Sequence, residues 1–256
     1  MQLIDSHAHI YLDEFNSDLD EVVNRAKKVN VHKILLPNID LSTLSDVNNL
    51  CSSHPNYFYP MIGLHPTSVK GNFKEEMDQL FKATDFSKYI AIGEIGMDLY
   101  WDKSFEKEQE MAFEFQIELA KKQNLPIVIH ARDSFDEIFS VMDRLNDDQL
   151  RGIFHCFTGG EKEVNKIIEY GDFKLGIGGI VTFKNSGLDK VLKNVDPQHL
   201  VLETDSPYLA PVPYRGKRNE SSYLEIVAEK LCEIYDLPLK EIAEITTNNC
   251  KKIFSI

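Results

Sequence analysis

Short apolar runs alternate with longer amphipathic stretches from one end of the chain to the other. Eight runs read as strands: residues 2–4, 33–37, 57–62, 89–93, 126–130, 152–155, 174–178 and 200–203. The stretches between them have a helical period, as in 19–29 and 104–123. The second of these sets Met111, Phe115, Ile117 and Leu119 among charges, which predicts one buried face. Asn124-Leu125-Pro126 then stops it. Runs such as Ile127-Val128-Ile129 and Leu200-Val201-Leu202 are apolar throughout, as in a parallel sheet covered on both faces. Eight strand–helix units in 256 residues predict an α/β fold, a TIM (β/α)8 barrel, closed by two or three helices over 223–256. No linker, repeat or composition shift divides the chain, so 1–256 reads as a single domain.

A barrel gathers chemistry at the C-terminal ends of its strands, and metal-binding side chains recur there. Asp5-Ser6-His7-Ala8-His9 follows the first run, and two histidines at i and i+2 on extended backbone share a face. Gly63-Leu64-His65-Pro66 follows the third run, Glu94 the fourth, His130 ends the fifth, His155 ends the sixth, and Asp205 follows the eighth. A histidine kept for packing has no reason to obey that rule. His32, His54 and His199 do not obey it and read as surface or loop residues.

Composition narrows the class. Hydrophobic residues make up 43%, enough for a large core. No basic start or long apolar stretch precedes the first motif, and no run reaches the ~20 apolar residues of a membrane span, so neither a signal peptide nor a membrane association is expected. Cys51, Cys156, Cys232 and Cys250 lie far apart and read as reduced thiols of a cytoplasmic protein. Cys156, next to His155, is expected to point away from it and pack. A net charge of -13 argues against a basic groove tracking long nucleic acid. It leaves room for a nucleic-acid enzyme whose cations supply the positive charge.

The segments DSHAHI, GLHP, GEIGMDLYW, IHARD, FHCFTG, GIGG and ETDSPYLAP resemble, in the same order, the TatD family of metal-dependent deoxyribonucleases in the amidohydrolase superfamily. The resemblance implies a TIM barrel, a centre of two divalent cations and hydrolysis of DNA phosphodiesters. It implies His7, His9 and Asp205 around one cation, His130 and His155 around the other, and Glu94 as the bridge. Imidazoles and carboxylates suit Mn, Zn, Fe, Ni or Co; Mg prefers more oxygen ligands. Two cations ~3.5–4 Å apart clamp both the attacking and the leaving oxygen of a phosphodiester.

Further roles follow from position. Asp205 is the candidate general base. Asp5 and Glu203 share strand parity with the ligands, so at least one is expected to orient a ligand imidazole. His65 is expected to bind a phosphate oxygen or protonate the leaving alkoxide; the alternative is a loop histidine before a proline. Arg132 suits a phosphate, or a pair with Asp133 or Glu94. Arg215, Lys217 and Arg218 form the densest positive stretch, suited to a nucleic-acid backbone or to plain solvation. Tyr100, Trp101, Phe157 and Tyr208 are candidates to stack on bases, Trp101 above the others. The partner expected is DNA as substrate, with the protein a monomer and no obligate protein partner. The same centre suits attack on a carbonyl, as in a D-aminoacyl-tRNA deacylase, and a binding scaffold without catalysis is the third reading.

Overall fold

The computed structural model describes residues 1–256. Its strands are β1 (Leu3–Asp5), β2 (Val31–Leu36), β3 (Phe58–Pro60), β4 (Ile92–Asp98), β5 (Ile127–Arg132), β6 (Gly152–Phe154), β7 (Phe173–Ile177) and β8 (Leu200–Leu202). All pair in parallel, as β1-β2-β3 and as β4-β5-β6-β7-β8. Backbone hydrogen bonds join the two ladders at both seams. Gly93 N donates to Ile62 O at 2.9 Å, and Ser6 N donates to Leu202 O at 3.0 Å. The ladder therefore runs round all eight strands, the TIM barrel expected from the alternation.

Every predicted run overlaps one strand, with shifted ends. The largest shift is in β4, which does not stop at Gly93 but continues through Asp98. Glu94 interrupts the apolar run, so a hydropathy reading ends there. In the barrel Ile95 and Met97 join the outer core, while Glu94, Gly96 and Asp98 have the opposite parity. Gly96 has φ +131, and a Cβ there would lie 2.1 Å from His130 O, so only glycine lets β4 approach β5 this closely.

Inside the barrel, Ile4, Leu35, Met61, Ala91, Val128, Ile153 and Val201 form one apolar cluster with Cys250, Ile253 and Phe254. The last three belong to α9 (Leu239–Phe254), which follows α8 (Leu224–Tyr235), the two closing helices expected. The other helices are α1 (Leu19–Lys28), α2 (Leu44–Ser53), α3 (Phe73–Phe81), α4 (Glu106–Gln123), α5 (Phe135–Leu145), α6 (Glu161–Glu169) and α7 (Leu188–Leu192). No helix is long and apolar enough to cross a membrane. Asn124 caps α4 in the left-handed region at φ 53, a conformation asparagine tolerates.

The buried face of α4 is only partly the one expected: Ile117 lies in it and Leu119 packs at its edge, but Met111 and Phe115 do not. Met111 and Phe115 are 46% and 48% exposed. The buried side is Gln109, Ala112, Phe113, Gln116, Ile117 and Ala120, a regular helical stripe. Two glutamines in that stripe hid it from a count of apolar residues. Both have backbone partners, which is what allows them to be buried.

Candidate metal centre

β1 ends at Asp5, but the chain stays extended against the segment after β8. His9 N donates to Ser206 O at 2.7 Å and Asp205 N to His7 O at 2.9 Å. Both histidines then share one face of the barrel mouth with Asp205. Asp205 itself has φ 56, a left-handed conformation that costs about 1 kcal/mol or more outside glycine and persists where neighbours fix it. Asn219 does part of that fixing: its Nδ2 donates to Thr204 O and Tyr208 O, both at 2.7 Å.

The two oxygens of Glu94 face two clusters. Glu94 Oε2 lies 3.1 Å from His7 Nε2 and 3.6 Å from His9 Nε2. Asp205 Oδ1 lies 3.8 and 3.5 Å from the same two nitrogens, and the nitrogens are 3.2 Å apart. Glu94 Oε1 lies 2.8 Å from His130 Nδ1 and 2.9 Å from His155 Nε2. The structure thus assembles the six residues into two poles that share Glu94.

Hydrogen bonds assign the tautomers, and the tautomers fit a cation. Tyr11 OH donates to Pro37 O, so it accepts from His9 Nδ1–H at 2.8 Å and leaves the His9 Nε2 lone pair facing the first pole. His130 Nε2–H donates to Asp98 Oδ2 at 2.9 Å, so the Nδ1 lone pair faces Glu94 Oε1. Two acceptors aimed at each other in a buried site call for a proton or a cation between them. Ligand bonds of about 2.0–2.2 Å would set neighbouring donor atoms roughly 3 Å apart, close to the separations seen. His7 Nδ1 is buried with no partner.

The electrostatics agree. Burial pushes the Glu94 carboxyl up, but His155, His65 and His7 outweigh it and hold it well below the usual range. Burial opposes charge on His155, yet Glu94 and Glu203 raise it well above an ordinary histidine. Burial likewise opposes His130, and Asp98 and Glu94 raise it. His7 is lowered by burial and by His155. Burial also raises Asp205, but His9 and His155 lower it further, so it stays ionised.

Of Asp5 and Glu203, it is Glu203 that faces a ligand ring. Its Oε1 lies 3.3 Å from His155 Nδ1 and accepts from Cys156 N. A Cβ on Gly176 would sit 2.1 Å from Glu203 Oε2, so glycine makes the room. Asp5 faces Thr204 instead, through its amide and its hydroxyl. It accepts from Thr204 N at 2.9 Å and Thr204 Oγ1 at 2.6 Å, and burial raises it to about 7. Cys156 is not on a strand: β6 ends at Phe154 and Cys156 turns at φ 47.

His65 stands beside the second pole, its Nε2 3.3 Å from both Glu94 Oε1 and His130 Nδ1. Its Nδ1 accepts from Thr67 N at 3.1 Å, so Nε2 carries the proton. It is a donor there, and burial keeps it neutral.

A cavity of about 750 Å³ opens above the centre. Asp98 Oδ1 accepts from Tyr100 N and Trp101 N and so fixes the turn carrying these two rings, 54% and 69% exposed, of which Trp101 lines the cavity. The Arg132 guanidinium lies 4.0 Å from the Tyr100 ring centre and 5.2 Å from that of Trp101, and pairs with neither Asp133 nor Glu94. Arg215 lies over Phe183 at 4.5 Å, and Lys217 and Tyr208 also line the cavity. Arg218 does not. Both its terminal nitrogens donate to Asp18 at 2.7 Å, with Phe15 beneath at 4.5 Å. Phe157 is buried at 2% exposure and has no face to offer a base. Three contributors had been given no role from the sequence: Tyr11, Asp98 and Asn219. Asp98 had a signal, since it shares the parity of Glu94 along β4.

Comparison with known proteins gives the family. A family profile described as TatD related DNase matches residues 4–255. YabD of Bacillus subtilis, described as an uncharacterized metal-dependent hydrolase, is 38% identical over 255 residues, 99% of each chain. YcfH of Escherichia coli, described in the same words, is 29% identical over 100% of this chain and 97% of its own. The crystal structure of YjjV, a TatD homologue from Escherichia coli, superposes with a TM-score of 0.92 at 28% identity, covering 99% of this chain and 98% of that one. The chain belongs to the TatD family of metal-dependent hydrolases.

Proposed function

We propose that the chain hydrolyses DNA phosphodiester bonds with two divalent cations at the poles of Glu94. One observation carries this reading: the guanidinium of Arg132 lies over two exposed rings, Tyr100 and Trp101, and Arg132 and Trp101 line the cavity above the carboxylate–imidazole centre. Exposed rings stack on bases, and guanidinium forks onto phosphates.

His7, His9, Glu94 and Asp205 would hold one cation, and Glu94, His130 and His155 the other. The pair would supply an activated water and charge neutralisation at the scissile phosphate, with Mn, Mg, Zn, Ni, Fe or Co as candidates. Asp205, ionised, takes the proton of the attacking water. His65 Nε2–H, fixed as a donor by Thr67, binds a phosphoryl oxygen or protonates the leaving oxygen. Arg132, Arg215 and Lys217 carry the backbone charge. A monomer in the cytoplasm fits the four free thiols.

The test is a substrate panel on chelated and reloaded protein: labelled single-stranded DNA, RNA and D-aminoacyl-tRNA. The proposal expects metal-restored cleavage of DNA, weakened in Arg132→Ala. Cleavage of the aminoacyl ester alone would replace it with the carbonyl reading.

A further inference from the structure

Gln109 and Gln116 are buried, at 2% and 1% exposure, on the same stripe of α4, about two turns apart. Neither bonds to another side chain. Each reads one backbone amide pair in the way a neighbouring strand would. Gln109 Oε1 accepts from Asp98 N at 2.8 Å, and its Nε2 donates to Asp98 O at 3.2 Å. Gln116 Oε1 accepts from Leu64 N at 2.7 Å, and its Nε2 donates to Leu64 O at 3.2 Å. Burying two primary amides costs free energy unless both ends are bonded, so these positions are specified.

The two backbone sites converge. Asp98 bonds His130 Nε2, and Leu64 precedes His65, whose Nε2 meets Glu94 Oε1 and His130 Nδ1. Every group they steady lies at the second pole. Apart from the shared Glu94, the first pole rests on β1 and the segments after β1 and β8, and His9 has its own support in Tyr11 and Pro37. No bond from either glutamine reaches it.

We infer that Gln109 and Gln116 are positioning residues that set the geometry of the second pole alone, so that one outer helix tunes one of the two metal sites. The inference rests on the two-cation reading above. Supports of this kind are worth roughly 10–100-fold in metal affinity. Tyr11, by the same reasoning, supports the first site.

The experiment is a titration of chelated full-length protein with Mn2+, followed by calorimetry and by paramagnetic resonance. The variants are wild type, Gln109→Met, Gln116→Met, Gln116→Glu and Tyr11→Phe. Methionine keeps the volume and removes both bonds; glutamate keeps the acceptor for Leu64 N and loses the donor to Leu64 O. Thermal melts in excess chelator establish that each variant is folded. Wild type should bind two equivalents. The glutamine-to-methionine variants should weaken one step by about tenfold or more and leave the other unchanged, with Gln116→Glu intermediate. Tyr11→Phe should weaken the other step. General loosening of the barrel would move both steps together, and that result overturns the inference. So do two normal steps in folded glutamine variants. A single equivalent in wild type overturns the two-cation reading itself, and the inference with it.

Discussion

At the scale of single residues, the carboxylates of the centre have separate tasks and should fail separately. Glu94 faces both poles, so Glu94→Ala should lower metal content at both and remove activity, read by metal analysis and by rate on a DNA oligomer. Asp205 faces one pole. Asp205→Asn keeps its shape and one oxygen, so the second pole should stay loaded and DNA should still bind. Turnover should fall by ~10²-fold or more, the loss expected for a placed general base. Near-normal turnover would remove Asp205 from that role. These residues were legible because a barrel puts chemistry after its strands, and each stands there against an apolar run. Their supports were less legible. Tyr11 and Asn219 act through backbone carbonyls and amides far along the chain, and no local pattern announces such contacts. Arg218 misled for the opposite reason. Its type and position fitted a substrate role, but Asp18 had already claimed it.

At the scale of elements, α4 shows where periodicity reads wrongly. The apolar residues Met111 and Phe115 face outward, and glutamines take core positions, because strand-end backbone in the barrel wall needs partners. Phe113→Ala, at 0% exposure, should cost ~3–5 kcal/mol in chemical denaturation. Phe115→Ala, at 48% exposure, should stay within ~0.5 kcal/mol. Equal losses would contradict the buried face described. β4 makes a second case. Its polar half, Glu94 to Asp98, hides a strand from hydropathy, yet that half carries the bridge and the partner of His130. The loop after β8 is pinned to α1 by Arg218, Asp18, Arg25 and Glu220. The two hydrogen bonds from Arg218 and the one from Arg25 outweigh desolvation and depress Asp18 to about 2 from an ordinary 3.8. A depressed carboxylate stabilises the fold fully above its unfolded value and loses that contribution as pH falls toward its folded value. Asp18→Asn should therefore melt a few degrees below wild type at neutral pH, as expected for a partly exposed pair worth ~1 kcal/mol. The gap should close as pH drops from about 4 toward 2. A gap that persists unchanged in acid would show that charge is not what pins the loop.

At the scale of the whole molecule, an acidic chain sets three cationic side chains around one mouth, as the proposed DNA substrate requires. The net charge is -13, yet Arg132, Arg215 and Lys217 line the cavity. Arg215→Ala should reduce the salt slope of DNA binding by about one phosphate contact, while Arg218→Ala should leave the slope and lower stability instead. An unchanged slope in Arg215→Ala would place the DNA path elsewhere. The closed barrel explains why the centre forms at all: residues from His7 to Asp205 meet because β8 hydrogen-bonds back to β1. In the proposed centre, Glu94 joins two cations that together cleave DNA. The cleavage rate of a labelled single-stranded DNA oligomer, measured as Mn2+ is added stepwise to chelated wild-type protein, tests this. No cleavage is expected without metal, full rate only at two equivalents, and no rate at any loading in Glu94→Ala. Undiminished cleavage with metal shown to be absent, or no cleavage of DNA at full loading, would contradict it.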